Sequence, residues 1–164
     1  MATSGQAIDL SSLAQKPSVL FFYPRTGGRG QSAGPGWDLI PGARGCTPQA
    51  CGFRDLHREF VGLGVTVAGI STQTTAYQQE FVERNHVPFE LLSDAELRLT
   101  RGMRLPTFEF PVLNDCGPTT LIKRMAWFVA EGRIVRLWYP VFPPDRNAET
   151  VLAWLRTSRS PIGI

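Results

Sequence analysis

Pro41-Gly-Ala-Arg-Gly-Cys46-Thr-Pro-Gln-Ala-Cys51-Gly-Phe-Arg-Asp55 places two cysteines five residues apart where a helix begins, and two of the chain's three thiols lie there. Thr47 followed by Pro48 predicts an N-cap with proline at the first helical position, where a missing N–H removes no hydrogen bond. This register sets Cys46 at the positive end of the helix and Cys51 about one turn inside it. The unpaired backbone N–H groups and the dipole at that end stabilise a thiolate, with Arg44 or Arg54 as sources of further positive charge. Cys46 is therefore the better nucleophile of the two.

Other uses of the pair carry different signatures. Two cysteines can simply be small apolar core residues. A metal site needs three or four ligands at close spacing, and the only histidines, His57 and His86, do not sit beside Cys46. The redox pair of thioredoxin-like oxidoreductases is Cys-x-x-Cys, whereas four residues separate Cys46 from Cys51.

Outward from this stretch, Phe53, Leu56, Phe60 and Leu63 recur at helical spacing, so the helix lays one apolar face on a sheet and ends near Gly62 or Gly64. Val19–Tyr23, continuously apolar up to Pro24, reads as a strand buried on both faces. Val65–Ile70 reads as a second, and Phe89–Leu92 as a third. Between them Thr75-Ala-Tyr-Gln78 resembles a capping box opening a helix with Tyr77 and Phe81 inward. Asp94 is expected to cap a short helix stopping at Gly102, followed by an irregular connection marked by Leu105–Phe108 and Asp115–Pro118. Met125–Val129 and Ile134–Tyr139, joined by a turn at Ala130–Arg133, predict a hairpin, and Val151, Leu152 and Leu155 give a closing helix its inward stripe. Strands alternating with helices, then a hairpin and a last helix, predict an α/β chain of thioredoxin-like fold, a central mixed sheet flanked by helices.

Residues 25–45 hold seven glycines and two prolines. This is too long for an ordinary connection, so a surface loop is expected, either a flexible insertion or a lid with Trp37 and Ile40 over an apolar pocket at Cys46. Inside it, Gly28–Ala33 formally matches Gly-x-Gly-x-x-Ala. Gly34-Pro-Gly36 follows at once and forbids the helix a dinucleotide site requires.

Four blocks together resemble one known family: Phe21-Phe-Tyr-Pro24, Gly45-Cys46-Thr-Pro-Gln-Ala-Cys51-Gly-Phe-Arg-Asp55, Gly69-Ile-Ser-Thr72 and Pro88-Phe-Glu-Leu-Leu-Ser-Asp94. In that order, they are similar to peroxiredoxins, and within these to the atypical 2-Cys group called bacterioferritin comigratory protein or peroxiredoxin Q. The resemblance implies a thioredoxin-like fold and a thiol-dependent peroxidase of hydrogen peroxide and organic hydroperoxides. By resemblance Cys46 corresponds to the peroxidatic cysteine and Cys51 to the resolving one. The implied cycle runs from thiolate through sulfenic acid to an intramolecular disulfide, with reduction by thioredoxin or a similar dithiol donor and no metal or organic cofactor. Arg124 resembles the family's arginine, with Lys123 beside it as the second choice, and Gln49 fits the position of a group that orients that arginine. The family's threonine three residues before the nucleophile is replaced by Ala43; Pro24 and Thr26, across the insertion, are the candidates to position peroxide instead. Cys116 is most economically a bystander, with replacement of Cys51 as the resolver the open alternative.

At 164 residues, 43% hydrophobic and 19% charged, the chain fits one domain, residues 1–164, carrying a Gly/Pro-rich insertion at about 25–45. The segment before Val19 is too short for the N-terminal hairpin many peroxiredoxins carry. No apolar run is long enough to span a bilayer, and the first residues lack the basic start and apolar core of a signal peptide, so a cytoplasmic protein is expected. A net charge of +3 from scattered residues gives no nucleic-acid surface. Three cysteines in a reducing compartment argue for catalytic or transient disulfide chemistry, in a monomer or weak homodimer. Two rival functions remain: a thiol–disulfide oxidoreductase without peroxidase activity, and a redox-responsive binding protein that peroxide oxidises without turnover.

Overall fold

The computed structural model describes residues 1–28, 34–111 and 116–158. A five-stranded sheet forms the centre of the fold. Its central strand β1 (Ser18–Phe22) pairs in parallel with β2 (Thr66–Ser71) and antiparallel with β6 (Met125–Ala130). β2 continues in parallel to β3 (Leu91–Ser93), and β6 turns back into β7 (Arg133–Trp138) through Glu131 and Gly132, both left-handed. Two consecutive positive φ values match the strong twist of a two-residue hairpin turn. The parallel pair of β1 and β2 is joined by a helical crossover, whereas the antiparallel pair of β6 and β7 shares a tight turn.

Period-two alternation along β1 divides the core between the two faces. Val19, Phe21 and Tyr23 join Phe53, Phe60, Phe81 and Val151 on one side; Leu20 and Phe22 join Ile70, Ile122 and Trp127 on the other. On the first side lie α2 (Cys46–Asp55), α3 (His57–Gly62), α4 (Thr75–Asn85) and α6 (Asn147–Ser158). The other side receives Leu10 and Leu13 of α1 (Leu10–Gln15), a helix opened by the Asp9 side chain. Gly69, opposite Phe21 in the ladder, has a physical reason to be glycine: a Cβ there would stand 2.6 Å from the Phe21 ring and from Leu91. The Phe21 ring in turn stacks on Phe53 with centroids 4.5 Å apart, which fixes α2 on the sheet.

Several expected boundaries shift. The helix predicted to run to Gly62 or Gly64 is broken at Leu56 into α2 and α3, and the bend keeps Phe53 and Phe60 in ring contact at 5.7 Å. α4 is capped by Thr74, whose side chain accepts from Tyr77 N, one residue before the expected box. Asp94 does serve its helix, α5 (Arg98–Gly102), but from four residues ahead: its carboxylate accepts from the Leu99 and Thr100 amides and the Thr100 hydroxyl. The third strand starts at Leu91, with Phe89 packing edge-on against Phe21 ahead of it. The stretch predicted as irregular contains a two-stranded ribbon, β4 (Thr107–Glu109) with β5 (Thr120–Ile122), whose three-residue strands are too short for a periodic signal. Among the described residues no helix is long and apolar enough to cross a membrane.

The insertion is more than a surface loop. Residues 34–45 pack: Trp37 and Ala43 are buried with Phe110 and Leu121, and Ile40 and Phe108 lean on them. Residues 29–33, most of the Gly28–Ala33 match, lie outside the described residues, as does Asp115.

Candidate active site

Cys46 is the first residue of α2. The cap is Gly45, left-handed at φ 95, rather than Thr47, and Pro48 falls at the third helical position, where its missing N–H is still outside the intrahelical ladder. The choice of cap is steric. A Cβ on Gly45 would lie 2.3 Å from Pro144 Cγ, so only glycine both adopts this φ and admits the segment packed over it. No side chain caps this end, so the first-turn amides keep no side-chain partner, and Cys46 beside them is buried.

Arg124, immediately before β6, reaches the sulfur. Its Nη2 donates to Cys46 Sγ at 3.1 Å and lies among the carbonyl oxygens of Gly42 (3.1 Å), Ala43 (3.2 Å) and Arg44 (2.9 Å). Its Nη1 donates to Gln49 Oε1, and Gln49 Nε2 donates to Asn147 Oδ1 at 2.9 Å. Arg124, Gln49 and Asn147 are 3%, 1% and 3% exposed, so a cation is held at the sulfur in a largely desolvated place by a chain of side chains from three elements. Cys46 Sγ also lies 3.6 Å from the Ala43 carbonyl, which accepts from the thiol. Nearby Tyr23 is fully buried, and burial pushes its phenol well above the usual tyrosine range. It therefore stays neutral and does not compete for the guanidinium.

The other predicted residues make different contacts. Lys123 is exposed, and its backbone N–H donates to Pro106 O. Arg44 pairs with Asp38 at 3.0 Å in solvent, and Arg54 turns to Asp55 and the Asn85 carbonyl. Pro24 is buried just past the end of β1. Thr26 is locked to Gln73, whose Oε1 accepts from both its amide (3.0 Å) and its hydroxyl (3.1 Å) while Nε2 returns to Thr26 O. A pocket of about 310 Å³ opens on Cys46, lined by Arg25, Trp37, Ala43, Arg44, Thr47 and Pro48 among others. Neither Pro24 nor Thr26 belongs to that lining; Arg25, between them, does, its guanidinium 4.9 Å from the Trp37 ring centroid and 5.5 Å from that of Phe110. The pocket is thus walled by arginines and one tryptophan instead of being apolar, and Ile40 supports the wall from behind. A larger hollow of about 580 Å³, lined by Met1, Ile8, Leu10, Asp94 and Leu99 among others, shares no residue with it.

Cys51 is partly exposed on the same unbroken helix, and Cys46 and Cys51 are both free thiols. Cys116 is as buried as Cys46 but sits in a loop where its carbonyl accepts from Thr74 N, at the mouth of α4. Among the described residues no group of three His, Cys, Asp or Glu side chains converges as a metal site would require. Asn147 and Gln73 escaped the sequence reading. Asparagine at a helix start reads as a local cap, and nothing in the sequence tells that Asn147 reaches a residue 98 positions earlier.

Comparison with known proteins identifies the family. Residues 1–152 match the sequence profile of the family Redoxin. The chain is similar to Peroxiredoxin Bcp of Bacillus subtilis, 30% identical over 149 residues that cover 90% of this chain and 83% of the relative. It is 29% identical to the chloroplastic Peroxiredoxin Q of Suaeda salsa over 93% of its own length but 61% of the plant protein's, so it spans less than two thirds of that relative. Among solved structures it superposes on the peroxidoxin BcpB of Mycobacterium tuberculosis with a TM-score of 0.70 at 30% identity, covering 97% of this chain and 91% of that one.

Proposed function

Because this chain belongs to the redoxin family and within it to the peroxiredoxins, which are thiol-dependent peroxidases, we propose that Cys46 is its peroxidatic cysteine, Cys51 its resolving cysteine and Arg124 the cation that serves the reaction. The observation that carries this reading is the 3.1 Å contact of Arg124 Nη2 with Cys46 Sγ at the first residue of α2. The Cys46 thiolate attacks the terminal oxygen of hydrogen peroxide or an organic hydroperoxide. The S–O bond forms as the O–O bond breaks, and the departing alkoxide or hydroxide takes a proton and leaves as alcohol or water. Arg124 and the first-turn amides stabilise negative charge first on sulfur and then on the leaving oxygen, which is where positioned donors in a dry site accelerate a reaction most. Arg25 and Thr47, at the pocket wall, replace the hydroxyl that Ala43 lacks, while Pro24 and Thr26 shape the turn that presents Arg25.

Cys46 is left as a sulfenic acid. The Cys51 thiol displaces water from it to form a disulfide, and a dithiol donor such as thioredoxin returns both thiols and is itself oxidised to a disulfide. Such a donor is kept reduced in the cytoplasm. In a regular helix residues five apart have Cα atoms roughly 8.6 Å apart, whereas a disulfide needs them within about 7 Å. Since α2 runs unbroken through both cysteines, its first turns unwind before the bond closes.

The test is steady-state turnover of hydrogen peroxide and an organic hydroperoxide with a thioredoxin system. Cys46→Ser is expected to abolish it, and Cys51→Ser to give one turnover that traps a sulfenic acid on Cys46, read by mass spectrometry. Activity in Cys46→Ser, or trapping on Cys51, would reverse the assignment. The absent hydroxyl at Ala43 favours one second reading, a thiol–disulfide oxidoreductase, which would exchange disulfides but leave peroxide unconsumed in the same assay.

A further inference from the structure

We propose that Asn147 is a positioning residue of this site: by holding Gln49 it both aims Arg124 at Cys46 and latches α2 in its helical form, so that one side chain sets the balance between the peroxide step and disulfide closure. This rests on the reading of Cys46 and Cys51 given above.

Gln49 lies between the two cysteines, inside the segment that has to unwind, and its amide is used at both ends. Its Oε1 accepts from Arg124 Nη1 and its Nε2 donates to Asn147 Oδ1 at 2.9 Å. An amide side chain is free to swing about its terminal torsion, so an acceptor fixed at Nε2 decides which atom faces Arg124. With Asn147 holding the nitrogen, the oxygen is turned to the guanidinium, and Arg124 keeps its other nitrogen on the sulfur.

Asn147 is itself well anchored. It begins α6, whose Val151, Leu152 and Leu155 are buried in the core, and it follows a short 3-10 turn, Pro144–Arg146, lying along α2. Pro144 fits over Gly45, and both the Asp145 carbonyl and Ala148 Cβ fit over Gly52, where an added Cβ would come within 3.3 Å and 3.6 Å of them. Residues 144–148 therefore cover the helix from the cap of Cys46 to the residue after Cys51. Within that cover the hydrogen bond between Gln49 and Asn147 joins two buried side chains, where an unmade hydrogen bond is most costly. Unwinding α2 carries Gln49 off Asn147 and Arg124 together, so the same event that lets Cys51 approach disarms the cation.

The two functions predict opposite changes in two rate constants of the reduced full-length protein, measured by rapid mixing with hydrogen peroxide, acid quench and mass spectrometry of alkylated thiols. Asn147→Leu keeps the size and removes the acceptor. It is expected to lower the second-order rate of Cys46 oxidation and to raise the first-order rate of disulfide closure, each by about threefold to tenfold, the worth of one hydrogen bond. Asn147→Asp keeps an acceptor for Gln49 Nε2 and places a carboxylate at a helix start that favours it, so it is expected to recover the peroxide step and slow closure again. If Asn147→Leu does not fold, Asn147→Ser, which is smaller than asparagine, carries the same comparison. Unchanged rates, or two rates that fall together in a variant whose circular dichroism is native, would overturn the latch. Absence of peroxide oxidation in the wild-type protein would instead refute the peroxidase reading on which the latch depends.

Discussion

β1 is buried throughout and the first two turns of α2 only on one face, and the two are held in different ways. All five residues of β1 are buried, hydrogen-bonded on both edges and covered on both faces by apolar side chains. In α2 the buried residues are Cys46, Gln49, Ala50 and Phe53; no side chain caps its start, and much of its hold is the Arg124–Gln49–Asn147 chain and the Pro144 cover. A ladder with apolar cover opens only with the whole domain, whereas a helix tied by a few side-chain hydrogen bonds can open alone. That difference is what a thiol enzyme needs when its nucleophile must first be rigid and then travel to a partner.

The largest effect sharpens the strand side of the contrast. Phe22 is fully buried against Trp127, with ring centroids 4.5 Å apart, on the face away from α2. Phe22→Ala is expected to remove about 3–5 kcal/mol of stability in denaturant unfolding while the folded protein still oxidises Cys46 at close to the wild-type rate. A large loss of peroxide rate at unchanged stability would break the separation. Next, Arg124→Ala removes a charge-assisted donor from the sulfur and from the leaving oxygen. Peroxide reactivity should fall roughly a hundredfold to a thousandfold, with little change in unfolding of the sheet; wild-type reactivity would move the role to Arg44 or Arg25.

A smaller effect is expected at the cap. Gly45→Ala strains a left-handed position and pushes a Cβ into Pro144, which should destabilise the start of α2 by about 1–3 kcal/mol. Faster disulfide closure and a modestly lower melting temperature would report it. An unchanged closure rate would mean that the cover over Gly45 plays no part in holding the helix.

The sequence made legible what rests on local periodicity. The apolar run at Val19–Tyr23, the hairpin around Glu131-Gly132 and the stripe of α6 are visible because each buries a regular pattern. Cys46 at a helix start was equally readable, although the cap proved to be Gly45: Thr47-Pro48 is a good local signal, but Pro144, a hundred residues on, decides where the helix begins. Arg124 was found only through resemblance to a family, since a basic residue before a strand has no local mark of being buried against a sulfur. Asn147, Gln73 and the Arg25–Trp37 wall were not readable at all, because their partners are remote in sequence and their residue types are ordinary where they stand.

Hydrogen exchange of the reduced and disulfide forms tests the central claim most directly. Amides from Gln49 to Leu56, within the α2 ladder, are predicted to be protected in the reduced protein and to lose that protection on oxidation. Those of Val67 to Ile70 in β2 should stay protected in both. Equal protection of Gln49–Leu56 in the two forms would contradict the account, because Cys46 and Cys51 would then have joined without unwinding the helix between them.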